Sequence, residues 1–423
     1  MLYNRGDVEK MRTGNRPISI IPFNYHKYIK MKIHLSFLLS VIIIGCYAPN
    51  SEELPFNSGS RYPHLTKTEK GGLLVSWFEP VDSTIFGLFW SEFSNNEWSL
   101  KTLIYSSDHF FINWADFPSI FELDENTIVA HWPEMSAEGT YDYDVRISYS
   151  KDRGKTWSEP ISPHRDGKEA EHGFVSFYKN ETHELEMVWL DGREMAGGNG
   201  HESAGDMNLY TTSFDRDFKQ RHDISIDAMV CECCPTTAVQ SEKVTIVAYR
   251  DRTPSEVRNI NILRKVNGEW ENPYPVNEDG WIIPGCPVNG PKLAEKNGKV
   301  AIAWFTAPDG DAQINVAFSN DLGKTFSNPI RVDAGQPQGR VDLQWIDGKT
   351  IIASWLEAKE ENSSIVYRKI DTNGILSKIS YVETLGGGRG IGYPQFELIE
   401  DKTLFVWTDP LGKNQIKSRW IGL

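Results

Sequence analysis

Three shortages narrow what this chain does. Basic residues are the first: Lys and Arg total 44 against 58 Asp and Glu, a formal charge of -14. That balance argues against a broad phosphate-binding surface, and so against nucleic acid as a partner. Long apolar runs are the second, because the one candidate, beginning at Met31, holds about a dozen apolar residues where crossing a bilayer takes about 20. Cysteine is the third: of five, one is Cys46 and the other four are Cys231, Cys233, Cys234 and Cys286, at spacings that match no recognised zinc pattern. Helical periodicity is also scarce, and short β-branched and aromatic runs bounded by Gly and Asn take its place.

The amino-terminal stretch reads as an address. Residues 1–30 carry no pattern expected ahead of an export signal, Met31 makes a better start than Met1, and this segment is expected to be absent from the mature protein. From Met31 to Gly45 a basic residue, an apolar stretch and a small residue precede Cys46, as in a signal peptide. Ile43-Ile44-Gly45-Cys46 resembles a bacterial lipobox, which implies lipid on the Cys46 thiol and an exported chain tethered to a membrane. Residues 46–60 then form a polar, Pro-containing tether.

Self-similarity decides the expected fold of residues 61–423. An apolar strand ending in an aromatic recurs at Trp77, Trp132, Trp189, Tyr249, Trp304, Trp355 and Trp407, at gaps of 55, 57, 60, 55, 51 and 52 residues. Seven such units, each with several short strands, predict an all-β propeller with one four-stranded sheet per blade. The seventh unit ends after its third strand, so the segment before Arg61 is expected to supply the fourth and leave no open edge.

Two turns sharpen this. Ser150, Asp152, Gly154 and Trp157 recur as Ser319, Asp321, Gly323 and Phe326. Ser and Asp side chains can cap backbone N–H groups, Gly supplies a positive φ, and the aromatic fills the gap between strands. The spacing resembles the Asp box of the sialidase-type propellers. That resemblance implies a fold and not an activity; it also makes six blades, the number in that family, the alternative to seven.

In a propeller, the loops entering each inner strand and those leaving the second strand share one face. That face is expected to receive Arg61, Asp82, Glu134, Asn113 to Asp116, Glu171-His172, Arg193, the Cys231 to Cys234 run, Arg250, Arg252, Glu256, Arg258, Cys286, Arg340 and Arg389 to Tyr393. Several guanidiniums at one mouth suit a carboxylate-bearing ligand, since the planar fork matches a carboxylate bidentately. The alternative is that they pair with Asp191, Glu194, Asp251 and Glu256 to tie loops together.

The resemblance to sialidases extends to single residues. Arg61-Tyr-Pro63-His-Leu65 is similar to that family's R-I-P-x-L opening, whose Arg holds the substrate carboxylate. Glu232, 18 residues before Arg250, resembles the Glu that polarises a tyrosine nucleophile, and Arg250 the second carboxylate-binding Arg. Asp82 stands where the family keeps its general acid, and Tyr393, in Gly390-Ile-Gly392-Tyr-Pro, resembles the nucleophile. The family's third Arg has no counterpart between Asp309 and Val316; Arg340 is nearest, with Arg193 and Arg389 as further carboxylate binders. The function so implied is an exo-glycosidase acting on an acidic sugar, without a cofactor. A non-catalytic glycan- or protein-binding propeller is the second reading.

The cysteines allow three states. In an exported protein thiols tend to oxidise, and Cys231 to Cys234 with Cys233 to Cys286 is the least strained disulfide pairing. A soft-metal thiolate site, in a metal- or redox-handling protein, is another. Reduced structural thiols are the third. The Gly-rich loop Asp191 to Asp206 is expected on the ligand side.

Overall fold

The computed structural model describes residues 54–196, 205–411 and 415–423. The signal segment, Cys46 and the middle of the Asp191 to Asp206 loop lie outside them.

Seven antiparallel sheets form in chain order, so seven and not six is the blade count. The inner strands are Arg61–Lys67, Ser119–Glu122, His172–Lys179, Thr237–Ser241, Lys292–Lys296, Pro337–Trp345 and Gln395–Ile399. Each is followed by a strand that is apolar almost throughout, such as Leu73–Pro80 and Val244–Arg250, because it is covered on both faces by neighbouring blades. The repeating aromatics lie in the second half of these strands and are all buried, none more than 2% exposed. Several carry their own polar solution two residues on: Trp77, Trp189 and Trp355 donate Nε1–H to Glu79, Asp191 and Glu357 at 3.0, 2.8 and 2.6 Å. A buried indole N–H left unpaired is costly, and in these three blades the acid two residues on removes that cost. Among the described residues helix is confined to two short 3-10 turns, Pro308–Gly310 and Arg389–Ile391.

The two Ser-x-Asp-x-Gly-x-Thr turns fold alike. Ser150 Oγ donates to Asp152 Oδ1 at 2.7 Å and accepts from Gly154 N–H at 2.8 Å, and Asp152 accepts from the Thr156 N–H at 2.9 Å. Ser319, Asp321, Gly323 and Thr325 repeat the pattern at 2.7, 2.9 and 2.9 Å. Gly154 sits at φ +77, and a Cβ there would lie 2.0 Å from the Trp90 ring of the preceding blade. The turn thus locks adjacent blades together.

Ring closure differs from the expectation. Blade seven keeps three strands, and residues 54–60 add none. Instead Leu54 and Phe56 pack into a cluster of Trp77, Phe93, Leu404, Val406 and Ile416 that joins blades one and seven. Phe56 meets Trp77 edge-on at 4.8 Å, and the Ser60 hydroxyl accepts the Ile416 N–H at 3.2 Å. The apolar residues of this segment bury more as side-chain plugs than a polar, Pro-containing stretch gains as a strand.

Candidate functional site

The inner strands surround a central cavity of ≈ 480 Å³ whose wall includes Asp116, Phe174, Lys292, Asp342, Tyr393 and Glu397. At its mouth the backbone is held away from ordinary strand geometry. Tyr62, Phe174, Val288 and Arg340, all within four residues of the start of an inner strand, have φ between +48 and +58. Non-glycine residues tolerate that region poorly, Val least of all, and such strain gathers where a surrounding fold enforces a site. Gly339, at φ +84, shows why: a Cβ there would lie 2.0 Å from Asn289 Oδ1, the atom that accepts the Arg340 N–H at 2.8 Å.

The arginines expected at the mouth separate into two groups. Arg250 is 1% exposed and points its guanidinium at backbone carbonyls, Asn289 O at 2.8 Å, Arg258 O at 2.7 Å and Phe305 O at 2.6 Å. It ties blades four and five together and has no fork left for a ligand. Arg193 is clamped by Asp191 at 2.7 Å, Asp223 at 2.9 Å and Asp166 at 3.2 Å, and so ties loops together. Arg252 and Arg258 likewise pair with Glu232 and Glu256.

Arg61, Arg340 and Arg389 form the second group, with no carboxylate partner among the described residues. Arg340 stacks its guanidinium 4.5 Å from the Trp114 ring and donates once from its side chain, Nη1 to Gly392 O at 2.9 Å. Burial lowers its pKa, while Tyr393 and Tyr62 act in the other direction. Arg389 faces the same indole at 6.0 Å from the 3-10 turn before Gly392. Arg61 bonds only Gly59 O, at 3.3 Å, lies over Phe86 at 5.0 Å, and shares the surroundings of Tyr62 with Arg340. Asn113 Oδ1 caps the Ala115 N–H at 2.8 Å, which fixes the turn presenting Trp114. An aromatic platform flanked by guanidiniums without carboxylate partners is the outcome.

The tyrosine, glutamate and aspartate expected to act together each bond to other partners. Tyr393 OH donates to Val288 O at 2.6 Å, and its ring stacks on Trp114 at 6.3 Å. Glu232 is held by Arg252 at 2.6 Å and Arg258 at 3.2 Å. Asp82 closes its own exposed turn through Thr84 N–H and Ile85 N–H, both at 2.8 Å.

A tyrosine–carboxyl arrangement does form, from other residues. The fully buried Tyr143 places its hydroxyl 2.9 Å from Asp116 Oδ2 and 3.0 Å from Glu171 Oε1. Burial pushes the Asp116 carboxyl from 3.8 up to about 7 and the Glu171 carboxyl from 4.5 up to about 8. Asp116 and Glu232 add to the push on Glu171 by like charge. A phenol has one proton to give, so a proton kept on a carboxyl completes the second bond. Glu171 and Asp116 fall on the ligand face by loop position; Tyr143 is visible in sequence only as the first apolar residue of the third strand, Tyr143–Ser150.

The cysteines are free thiols, without a disulfide among the described residues. Cys231 Sγ lies 3.3 Å from Cys234 Sγ and 3.9 Å from Cys233 Sγ. The expected disulfide pairing is therefore absent from this structure.

No family model and no curated protein matches the chain. Solved structures do. A PL25 ulvan lyase bound to -[GlcA(1-4)Rha3S]- is similar at 12% identity and a TM-score of 0.55, over 88% of this chain and 94% of that one. Polysaccharide lyase Uly1 is similar at 11% identity and a TM-score of 0.50, over 89% and 90%. The Hadza microbial sialidase Hz136 is similar at 16% identity and a TM-score of 0.45, over 70% and 63%. At these identities the likeness is one of fold. The propeller is shared; the chemistry has to be argued from the residues at the mouth.

Proposed function

We propose that this propeller processes a carbohydrate bearing a carboxylate, held at the mouth by Arg340 and Arg389 over Trp114 with Arg61 beside them. The observation that carries the reading is the partition of the arginines. Of the seven expected at the mouth, Arg193, Arg250, Arg252 and Arg258 are satisfied by carboxylates or backbone carbonyls inside the protein, and of the other three two face one indole while the third adjoins Tyr62. The Arg340 guanidinium, desolvated and bonded to one carbonyl, is unfavourable without an anion, so it points to an anion supplied from outside. A sugar ring stacks on an indole by its C–H face, and its carboxylate accepts charge-assisted hydrogen bonds from the forks. That the similar solved structures include polysaccharide lyases agrees with the substrate class.

Glu171 is the proton donor in this reading. Its carboxyl stays protonated near neutral pH and is oriented by Tyr143, the condition a general acid needs to protonate a leaving glycosidic oxygen. Tyr393 acts by position, its ring lining the mouth beside Arg340. A sialidase-like exo-glycosidase is the finer form of the proposal. Incubation with a panel of sialosides and uronate-bearing oligosaccharides tests it: a hydrolase releases a free sugar with a new reducing end, whereas a lyase leaves an unsaturated uronate that absorbs in the ultraviolet. Binding without turnover would leave the non-catalytic reading. Failure to bind any acidic sugar would end the hydrolase, lyase and glycan-binding readings. Export and lipid attachment at Cys46 complete the proposal, and metabolic labelling with a fatty acid, lost in Cys46→Ser, checks them.

A further inference from the structure

The thiol cluster lies beside the mouth and takes no part in the sugar reading. Cys231 and Cys234 are each 1% exposed, and the Sγ atoms of Cys231, Cys233 and Cys234 all lie within 4.8 Å of one another. Neither spacing from Cys231, 3.3 or 3.9 Å, suits a disulfide, whose sulfurs sit about 2.05 Å apart. Both approach the edge of a polyhedron around one ion with bonds of about 2.3 Å, where thiolates stand roughly 3.8 Å from each other.

Donors aim at these sulfurs from outside. Arg258 Nη1 approaches Cys231 Sγ at 3.1 Å, and the Asn289 N–H approaches Cys234 Sγ at 3.4 Å. N–H groups directed at thiolates are the second layer of a metal–sulfur site, orienting the ligands and offsetting their charge. A fourth thiol, Cys286, is exposed, interacts with Cys233, and lies 4.0 Å from Glu232 Oε2.

We propose that Cys231, Cys233 and Cys234 form a binding site for one soft ion of closed d shell, zinc(II) or copper(I), with Cys286 able to close over it as a fourth ligand. Binding exchanges one proton for each thiol that becomes a ligand, so the metal enters as protons leave and no electrons move. The site has a structural consequence for the mouth. The segment after Cys286 carries Val288, whose carbonyl takes the Tyr393 hydroxyl, and Asn289, which contacts Cys234 by its N–H and the Arg340 N–H by its side chain. An ion in the thiol cluster therefore fixes the peptide from which Arg340 and Tyr393 are positioned.

The test uses the full chain, purified reduced and without chelator, then analysed for zinc and copper and titrated with each ion. About one equivalent is expected, with protons released as it binds, and the ion that is retained identifies which of the two the site takes. Cys231→Ser with Cys234→Ser is expected to fall below about a tenth of an equivalent, and Cys286→Ser to weaken binding about tenfold or more with the fold kept. Wild-type protein that holds less than about a tenth of an equivalent after loading, or that binds without releasing protons, overturns the proposal. So does an intact mass short by two hydrogens that resists loading, which would mark a disulfide. Should the double variant not fold, the wild-type titration and Cys286→Ser still decide.

Discussion

Arg340→Met removes the charge at the mouth and keeps most of the aliphatic stem. The wild-type guanidinium makes one hydrogen bond to Gly392 O, stacks on Trp114 at 4.5 Å, and has no carboxylate beside it among the described residues. A charge-assisted bond to a ligand carboxylate contributes about 1.5–3 kcal/mol, which is roughly 10- to 150-fold in affinity. The folded protein itself depends on this side chain far less, because burial of an unpaired cation opposes the hydrogen bond and the stacking. The expected result is a split: calorimetric affinity for an acidic oligosaccharide falls by one to two orders of magnitude, while the melting temperature holds or rises. A control sugar whose carboxylate is reduced to the alcohol is expected to bind both proteins weakly and equally. If the variant binds the acidic sugar as tightly as wild type, or melts well below it, Arg340 serves the fold and the assignment of the mouth is wrong.

Arg250→Met is expected to do the reverse, since it leaves the carbonyls of Arg258, Asn289 and Phe305 buried without their donor; a loss of about 3 kcal/mol or more in denaturant unfolding is expected. Glu171→Gln tests the proton donor. In wild type the Glu171 and Asp116 carboxyls ionise in the unfolded chain near 4.5 and 3.8 but in the folded protein only near 8 and 7. The folded state thus binds the extra protons, so their contribution is fully present below pH about 4 and is lost as the pH rises toward 8. Replacing Glu171 by Gln is expected to flatten that decline, seen as melting temperature against pH. It is also expected to cut any hydrolytic rate by about a hundredfold or more. An unchanged rate removes Glu171 from the chemistry.

The fold was legible because its signal is periodic. Seven aromatics at near-constant spacing mark seven strands that must be apolar on both faces, and a ring of like sheets accounts for that repeat at this length. The two turns added register, since Ser150 and Asp152 can satisfy backbone N–H groups only in one tight conformation. The ring closure was less legible: a segment of a few apolar residues can pair as a strand or pack by its side chains, and Phe56 against Trp77 decided it. At the site, loop position placed Arg61, Arg340, Arg389 and Glu171 on one face, but which arginines lack a carboxylate depends on contacts across blades. Arg250 is the clearest case, because its partners are backbone carbonyls, to which sequence assigns no identity. Tyr143 was hidden for the opposite reason, its phenol looking like one more core aromatic until two carboxyls meet it.

The positive-φ residues at the mouth carry a last implication. Tyr62, Phe174, Val288 and Arg340 come from blades one, three, five and six, so no single sheet determines where they sit. Their unfavourable torsions are held by contacts between neighbouring blades, as Asn289 holds the Arg340 N–H, which means the mouth is shaped before any ligand arrives. A guest then meets a rigid template and loses only its own freedom, and a shortened chain missing one sheet would forfeit recognition even if the remaining sheets stayed folded.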